Sequence, residues 1–153
     1  MLKLRMSLPP TANHRLLPVK AGKGVRMVKA PKYREWMESA AMFVREQALD
    51  ALELDKAVAN THSQPLFAQE VTALTVVYFP DRRRSDLDNV LKGVNDALVK
   101  ARVIADDSLI TTQIAQRGAN IPRGMVEVYI WPEDSADAAE LSSVLSKLTY
   151  GKA

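Results

Sequence analysis

The chain has 153 residues with a formal net charge of +3, and hydrophobic residues make up 47% of it against 25% charged. That is one globular domain, long enough to bury about two thirds of its unfolded surface. With no cysteine and two histidines, His14 and His62, it excludes disulfides, thiol nucleophiles, Cys-ligated zinc and a His-based metal cage.

The charge is segregated along the chain. Nine Lys or Arg residues precede the first acid, Glu35, and the rest of the chain carries −6. Such a pattern suits a polyanionic partner for the basic part, or a solvated basic loop. No run approaches a membrane span and no signal-peptide core opens the chain, so a cytoplasmic, nucleoid-associated protein is expected.

Residues 2–8, LKLRMSL, alternate apolar and polar and predict a half-buried strand, stopped by Pro9 and Pro10. From there to Lys29 no periodicity is visible, and a functional loop is expected. Its AGKG stretch at 21–24 lacks the remaining residues of a phosphate-binding loop. Near Pro31 helical spacing begins, with Tyr33, Trp36, Met37, Ala40, Phe43, Val44 and Gln47 on one face. Trp36 and Phe43 are expected in the core or at a dimer interface. The helix should fade between Leu52 and Val58.

VTALTVVYF, residues 71–79, is β-branched and apolar on both faces, which predicts a central strand ended by Pro80. Leu87, Leu91, Val94, Leu98 and Ala101 then trace a stripe on a helix over 88–101. SLITTQIAQ and RGMVEVYIW predict two more strands, antiparallel neighbours joined near Arg123-Gly124. The fold class expected is α/β (α+β-like): a single-layer mixed β-sheet packed with helices in the order β-α-β-α-β-β. The domain should span 1–132, with a partly helical tail over 133–153 whose Leu141, Val144, Leu145 and Leu148 suggest a short helix.

The chemistry concentrates in RRRSDLDNV, residues 82–90, and in the later pair Asp106-Asp107. One reading is purely structural. Ser85 and Asp88 fit a capping box, Asp86 and Asp88 complement the helix dipole, and Asp106-Asp107 make a polar turn. The other is catalytic. Carboxylates hold a hard cation such as Mg²⁺, which takes phosphate oxygen as a further ligand, while Arg82, Arg83, Arg84 and Lys92 bind phosphates. Asp86 and Asp88 lie two residues apart and converge only if Asp86 is extended and Asp88 opens the helix. Asp107 joins them only if the chain doubles back, the helix ends early, or a partner subunit supplies it.

DRRRSDLDNVLKGVNDALVKARVIADDSLI, residues 81–110, resembles the RusA-type Holliday junction resolvases. The shared pattern is Asp86, Asp88, Asn89, Lys92, Asp96-Ala97-Leu98 and Asp106-Asp107. LPPTANH is similar to the family's proline-rich segment and puts Asn13 in its final Asn. The similarity extends over about residues 4–132. It implies catalytic, metal-binding Asp86, Asp88 and Asp107 with Lys92 beside them, and Mg²⁺, or Mn²⁺ in its place, as cofactor. It also implies a homodimer that cuts four-way DNA junctions by paired symmetric nicks. Asn13, Arg15, Lys20, Lys23 and Arg26, with the three arginines, would line the DNA path.

Two positions depart from the family. Ser85 stands where a basic residue is usual, and Arg102 stands where a Gly ends the helix. His14 and His62 are read as incidental, and Asp96 as a helix-surface residue. A non-catalytic nucleic-acid-binding module, or a metal-dependent nuclease for other branched DNA or RNA, are the alternatives.

Overall fold

The computed structural model describes residues 1–10, 15–55, 64–82, 86–133 and 146. Its centre is a four-stranded mixed sheet. The strands are β1 (Leu2–Met6), β4 (Val71–Tyr78), β5 (Ile110–Arg117) and β6 (Met125–Pro132), in the order β1-β6-β4-β5. β4 and β5 are parallel, and the other pairs are antiparallel. Two helices, α1 (Pro31–Ala51) and α2 (Leu87–Lys100), pack on one face.

The alternation read in residues 2–8 is real. Leu2, Leu4 and Met6 are buried under α1, whereas Lys3 and Arg5 point to the other face. Edge strand β1 is closed by a side chain: Gln47 of α1 accepts from Arg5 N at 2.9 Å and donates to Arg5 O at 2.7 Å. The side chain thus satisfies backbone groups that an open edge would leave free. β4 is central, as its apolar character on both faces requires. Val71, Ala73 and Val77 meet the helices, and Leu74 and Val76 sit with Tyr129 and Trp131 in a second cluster on the far face. Each fully buried Val or Leu of this set contributes about 1.5–3 kcal/mol.

The far face also buries Glu127 of the interior strand β6, although a carboxylate ordinarily stays in water. It accepts from Arg5 Nε (2.9 Å), Tyr78 Oη (3.0 Å) and Tyr129 Oη (3.1 Å), with Lys3 Nζ at 3.2 Å. Burial pushes its carboxyl up, but the hydrogen bonds from Lys3, Tyr78 and Arg5 outweigh that and hold it below the usual range.

Three expectations are corrected. Residues 16–29 are not a loop but a β-hairpin of β2 (Leu16–Ala21) and β3 (Gly24–Lys29). The period-2 signal is absent because both of its faces mix apolar and basic residues in solvent, so nothing selects one buried side. Its two-residue turn carries Gly22 at φ 58°, at the first central position that a hairpin turn of the II′ kind reserves for Gly. Second, β5 and β6 are not neighbours, because β4 lies between them. The link between them crosses the end of β4, where Gly118 N donates to Val77 O and Ile121 N to Phe79 O. Third, Phe43 is not in the core of the single chain: it is 51% exposed, which leaves the dimer-interface alternative open, and Ala41, Ala48 and Leu49 complete the buried face of α1.

The helix expected to fade beyond Leu52 ends at Ala51. The tail helix expected around Leu141–Leu148 lies outside the described residues, as do Asn13, His14, His62, Arg83, Arg84 and Ser85.

Candidate active site

β4, α2 and β5 form a parallel crossover, and this unit fixes where the two acidic pairs go. α2 starts beyond the end of β4 and returns the chain to the start of β5. Val71 at the beginning of β4 pairs with Ile110 at the beginning of β5. The first pair therefore lies at one end of the sheet and the second at the other. The 14 residues of α2 between them span about 20 Å at 1.5 Å per residue.

At the first end Asp86 is the N-cap of α2, with extended backbone (φ −91°, ψ 122°). Its Oδ1 accepts from Asp88 N at 3.2 Å and its Oδ2 from Asn89 Nδ2 at 3.4 Å. The N-cap is thus Asp86, and the capping box expected from Ser85 falls outside the described residues. Asp88 opens the helix, and Asp88, Asn89 and Lys92 are exposed, with Lys92 one turn on from Asp88. The geometry that lets the two carboxylates converge is the one the chain adopts. Arg82 is exposed just upstream.

At the other end the same device recurs. Asp106 is extended (φ −154°, ψ 150°) and its Oδ1 accepts from Ser108 N at 3.0 Å, capping a 3-10 turn over Asp107–Leu109. Hydrogen bonds from Ser108 hold the exposed Asp106 carboxyl below its ordinary value. In each pair the first aspartate caps and the second, Asp88 or Asp107, is exposed to solvent. Asp107 lines an open pocket with Asp106, Asp96, Lys29 and Lys100. Asp86 and Asp88 are not part of it. Among the described residues no three acidic or imidazole side chains lie close enough to hold a metal ion together.

Asp96, read as a helix-surface residue, is half-buried and accepts from Tyr33 Oη at 3.2 Å, which ties α2 to α1. Burial foremost, then the Asp96 charge, pushes the Tyr33 phenol up to about 12. Arg15 is only 9% exposed, with its guanidinium 5.5 Å from the Tyr33 ring centre and its Nε and Nη2 without a partner. Lys20, Lys23 and Arg26 lie on the exposed hairpin.

Sequence reasoning missed Lys29 beside the Asp106-Asp107 end. Only the hairpin brings it there, and a segment read as a loop carries no such signal. Asn95 and Gln113, which exchange two hydrogen bonds (3.1 and 2.9 Å) and lock α2 to β5, were also unmarked. At the end of α2 Arg102 adopts the left-handed conformation, φ 57°, that the position demands, and its carbonyl accepts from Arg45 Nη1 at 2.9 Å. The departure from Gly leaves the turn intact.

The family model for endodeoxyribonuclease RusA matches residues 7–130, which include both acidic pairs. A crossover junction endodeoxyribonuclease RusA from Aquifex aeolicus (strain VF5) is 32% identical over 102 residues, 66% of this chain and 66% of that protein. One from Enterobacteria phage HK97 is 41% identical over 51 residues, 33% of this chain and 42% of the relative. The chain thus spans just under two thirds of the first relative's length and less than half of the second's. No helix among the described residues is long and apolar enough to cross a membrane. The match over most of the chain, with Asp86, Asp88, Lys92 and Asp107 all inside it, establishes that the chain belongs to the RusA endodeoxyribonuclease family.

Proposed function

We propose that the protein is a Mg²⁺-dependent endonuclease that resolves four-way DNA junctions by paired symmetric nicks, and that it does so as a homodimer with two composite sites. The observation that carries this reading is the separation of the exposed acids by the full length of α2. One chain supplies Asp86 and Asp88 at one end and Asp107 at the other. A two-fold axis beside α2 and edge strand β5 sets the two copies of the helix antiparallel, so that each Asp86-Asp88 pair meets the partner's opposite end. Two such sites related by two-fold symmetry suit two equivalent incisions in a two-fold substrate.

The donor set fits a hard cation. All the candidate ligands are carboxylate oxygens, and Mg²⁺ is commonly held by one or two carboxylates with waters and phosphate completing the shell. Such an ion, when bound, polarises the phosphoryl oxygen and lowers the pKa of a bound water. The chain does the rest. Asp86, fixed by its cap, orients the start of α2 so that Asp88 faces outward. Lys92 lies one turn away on the exposed side and can hold a phosphate oxygen, as can Arg82. Binding should weaken steeply with salt, since each phosphate contact releases counterions.

The test is a labelled synthetic four-way junction beside a linear duplex of the same sequence, with and without Mg²⁺. Paired nicks on the junction alone, and only with metal, are expected. Binding without metal-dependent nicking would make the protein a nucleic-acid-binding module, and equal cutting of flaps or RNA would make it a nuclease of broader substrate.

A further inference from the structure

The β2-β3 ribbon is the one part of the described fold that folding leaves unexplained. Its six-residue strands pair fully, from Leu16↔Lys29 to Ala21↔Gly24, yet of their twelve residues only Val28 is even half-buried. Val25 is 73% and Met27 55% exposed, and Leu16, Leu17 and Val19 are exposed too. A two-stranded ribbon with no packed face is marginal in water, and clustered exposed apolar side chains mark an interaction surface.

Charge says what kind. Residues 15–34 hold seven cations, among them Lys20, Lys23, Arg26 and Lys29, and no acid. Opposite residues of an antiparallel pair share a face. Lys20 therefore stands beside Val25 on one face, and Arg26 beside Val19 on the other. Cations interleaved with apolar side chains on both faces match a ligand that offers phosphates next to unstacked bases. Apolar wedges that include Leu, Met and Pro part base steps in other DNA-binding proteins, and a two-stranded ribbon fits the major groove.

The root of the ribbon is anchored although its length is free. Ala30 N donates to Arg15 O at 2.7 Å across the base. Arg15 lies over Tyr33 and against Gly93 of α2, where a Cβ would sit 3.4 Å from its Nη2. Lys29 shares the pocket of Asp107. The ribbon thus rises, over about 20 Å at 3.4 Å per residue, from beside one half of the candidate site.

We propose that this ribbon is the branch-point reader: Lys20, Lys23 and Arg26 hold phosphates of adjoining arms while Val25, Met27 and Val19 pack against bases unstacked at the crossover. The proposal rests on the junction-resolving reading and adds to it the element that distinguishes a branch from a continuous duplex.

The test uses the full chain without Mg²⁺, a four-way junction carrying 2-aminopurine at the branch point, and a matched linear duplex. Wild-type protein should raise 2-aminopurine fluorescence on the junction alone. Val25→Ser with Met27→Ser, which touches no core contact and keeps every charge, should abolish that rise. It should also lower the preference for junction over duplex roughly tenfold, the scale of losing the burial of one or two apolar side chains, with duplex binding nearly unchanged. An unaltered rise and preference in the variant, or no rise with the wild type, would overturn the proposal. So would a loss of junction binding that tracks conversion to monomer in sedimentation velocity, since the ribbon would then be a contact between subunits. If the wild type cuts junctions in Mg²⁺ and the ribbon variant behaves like it, this inference alone fails. If the ribbon responds as stated and nothing is cut, the enzymatic reading alone fails.

Discussion

The two ends of α2 are built alike and serve one chain differently from the way they would serve a pair. At each end an extended aspartate caps a helical turn, Asp86 through Asp88 N and Asp106 through Ser108 N. At each end the neighbouring acid, Asp88 or Asp107, is exposed in the first turn, and among the described residues its side chain makes no capping bond to the backbone. Capping alone accounts for the first member of each pair and says nothing of the second. An acid in the first turn that makes no cap is freer to serve as a ligand than one engaged in a cap.

Substitution at the exposed acids should have the largest effect. Asp88→Asn and Asp107→Asn should each lower junction cleavage by about a hundredfold to a thousandfold, the scale of removing a group that stabilises transition-state charge. Neither should shift the melting temperature appreciably. Asp86→Ala should do both, losing cleavage and about 1 kcal/mol of stability with its cap. Single-turnover cleavage beside thermal melts decides this, and near-normal cutting by Asp107→Asn would remove the second end from the site.

Next in size is a feature of the far face that has no part in the site. Glu127 has a depressed carboxyl, so its contribution to stability is complete above the usual glutamate range near 4.5 and is lost as pH falls through its lower folded value. Glu127→Gln should cost about 1–2 kcal/mol at neutral pH by weakening the bonds from Arg5, Lys3, Tyr78 and Tyr129. It should also flatten the acid limb of the stability profile. A denaturant series from neutral pH down to pH 3 checks both, and a parallel profile for variant and wild type would show that Glu127 is not the titrating group.

The smallest effect concerns the exit from α2. Arg102 holds φ 57° without the freedom of glycine. Arg102→Gly should raise stability by about 1 kcal/mol, a few degrees in melting temperature for a chain of this size. The carbonyl bond from Arg45 is a backbone contact and survives the change. No gain would mean that the arginine side chain itself stabilises the turn.

What could be read from sequence follows from where solvent stops. The alternation of β1, the doubly apolar β4 and the start of α1 at Pro31 were legible because burial on a sheet or helix imposes a period. The stripe on α2 was legible with a small rotation: Val90, Val94, Ala97 and Leu98 are buried, while Leu87 and Leu91 are only partly covered. The ribbon was invisible because neither face is buried, and the place of β5 was misread because a turn signal at Arg123-Gly124 cannot tell adjacent strands from strands separated by a third. Asp86 and Asp88 could be placed from local geometry. Asp107 could not, since the length of α2 was known but the direction of its return was not.

The composite site is the central claim, and mixed dimers test it most directly. Asp88→Asn and Asp107→Asn proteins, each inactive alone, would be unfolded together and refolded so that subunits exchange, then given a labelled junction and Mg²⁺. If each site draws its acids from both chains, a mixed dimer holds one site with both residues intact and one with both replaced. Cleavage should return as single-strand nicks without paired resolution. If each chain completes its own site, every site in the mixture carries one substitution, and the absence of any restored nicking would contradict the account.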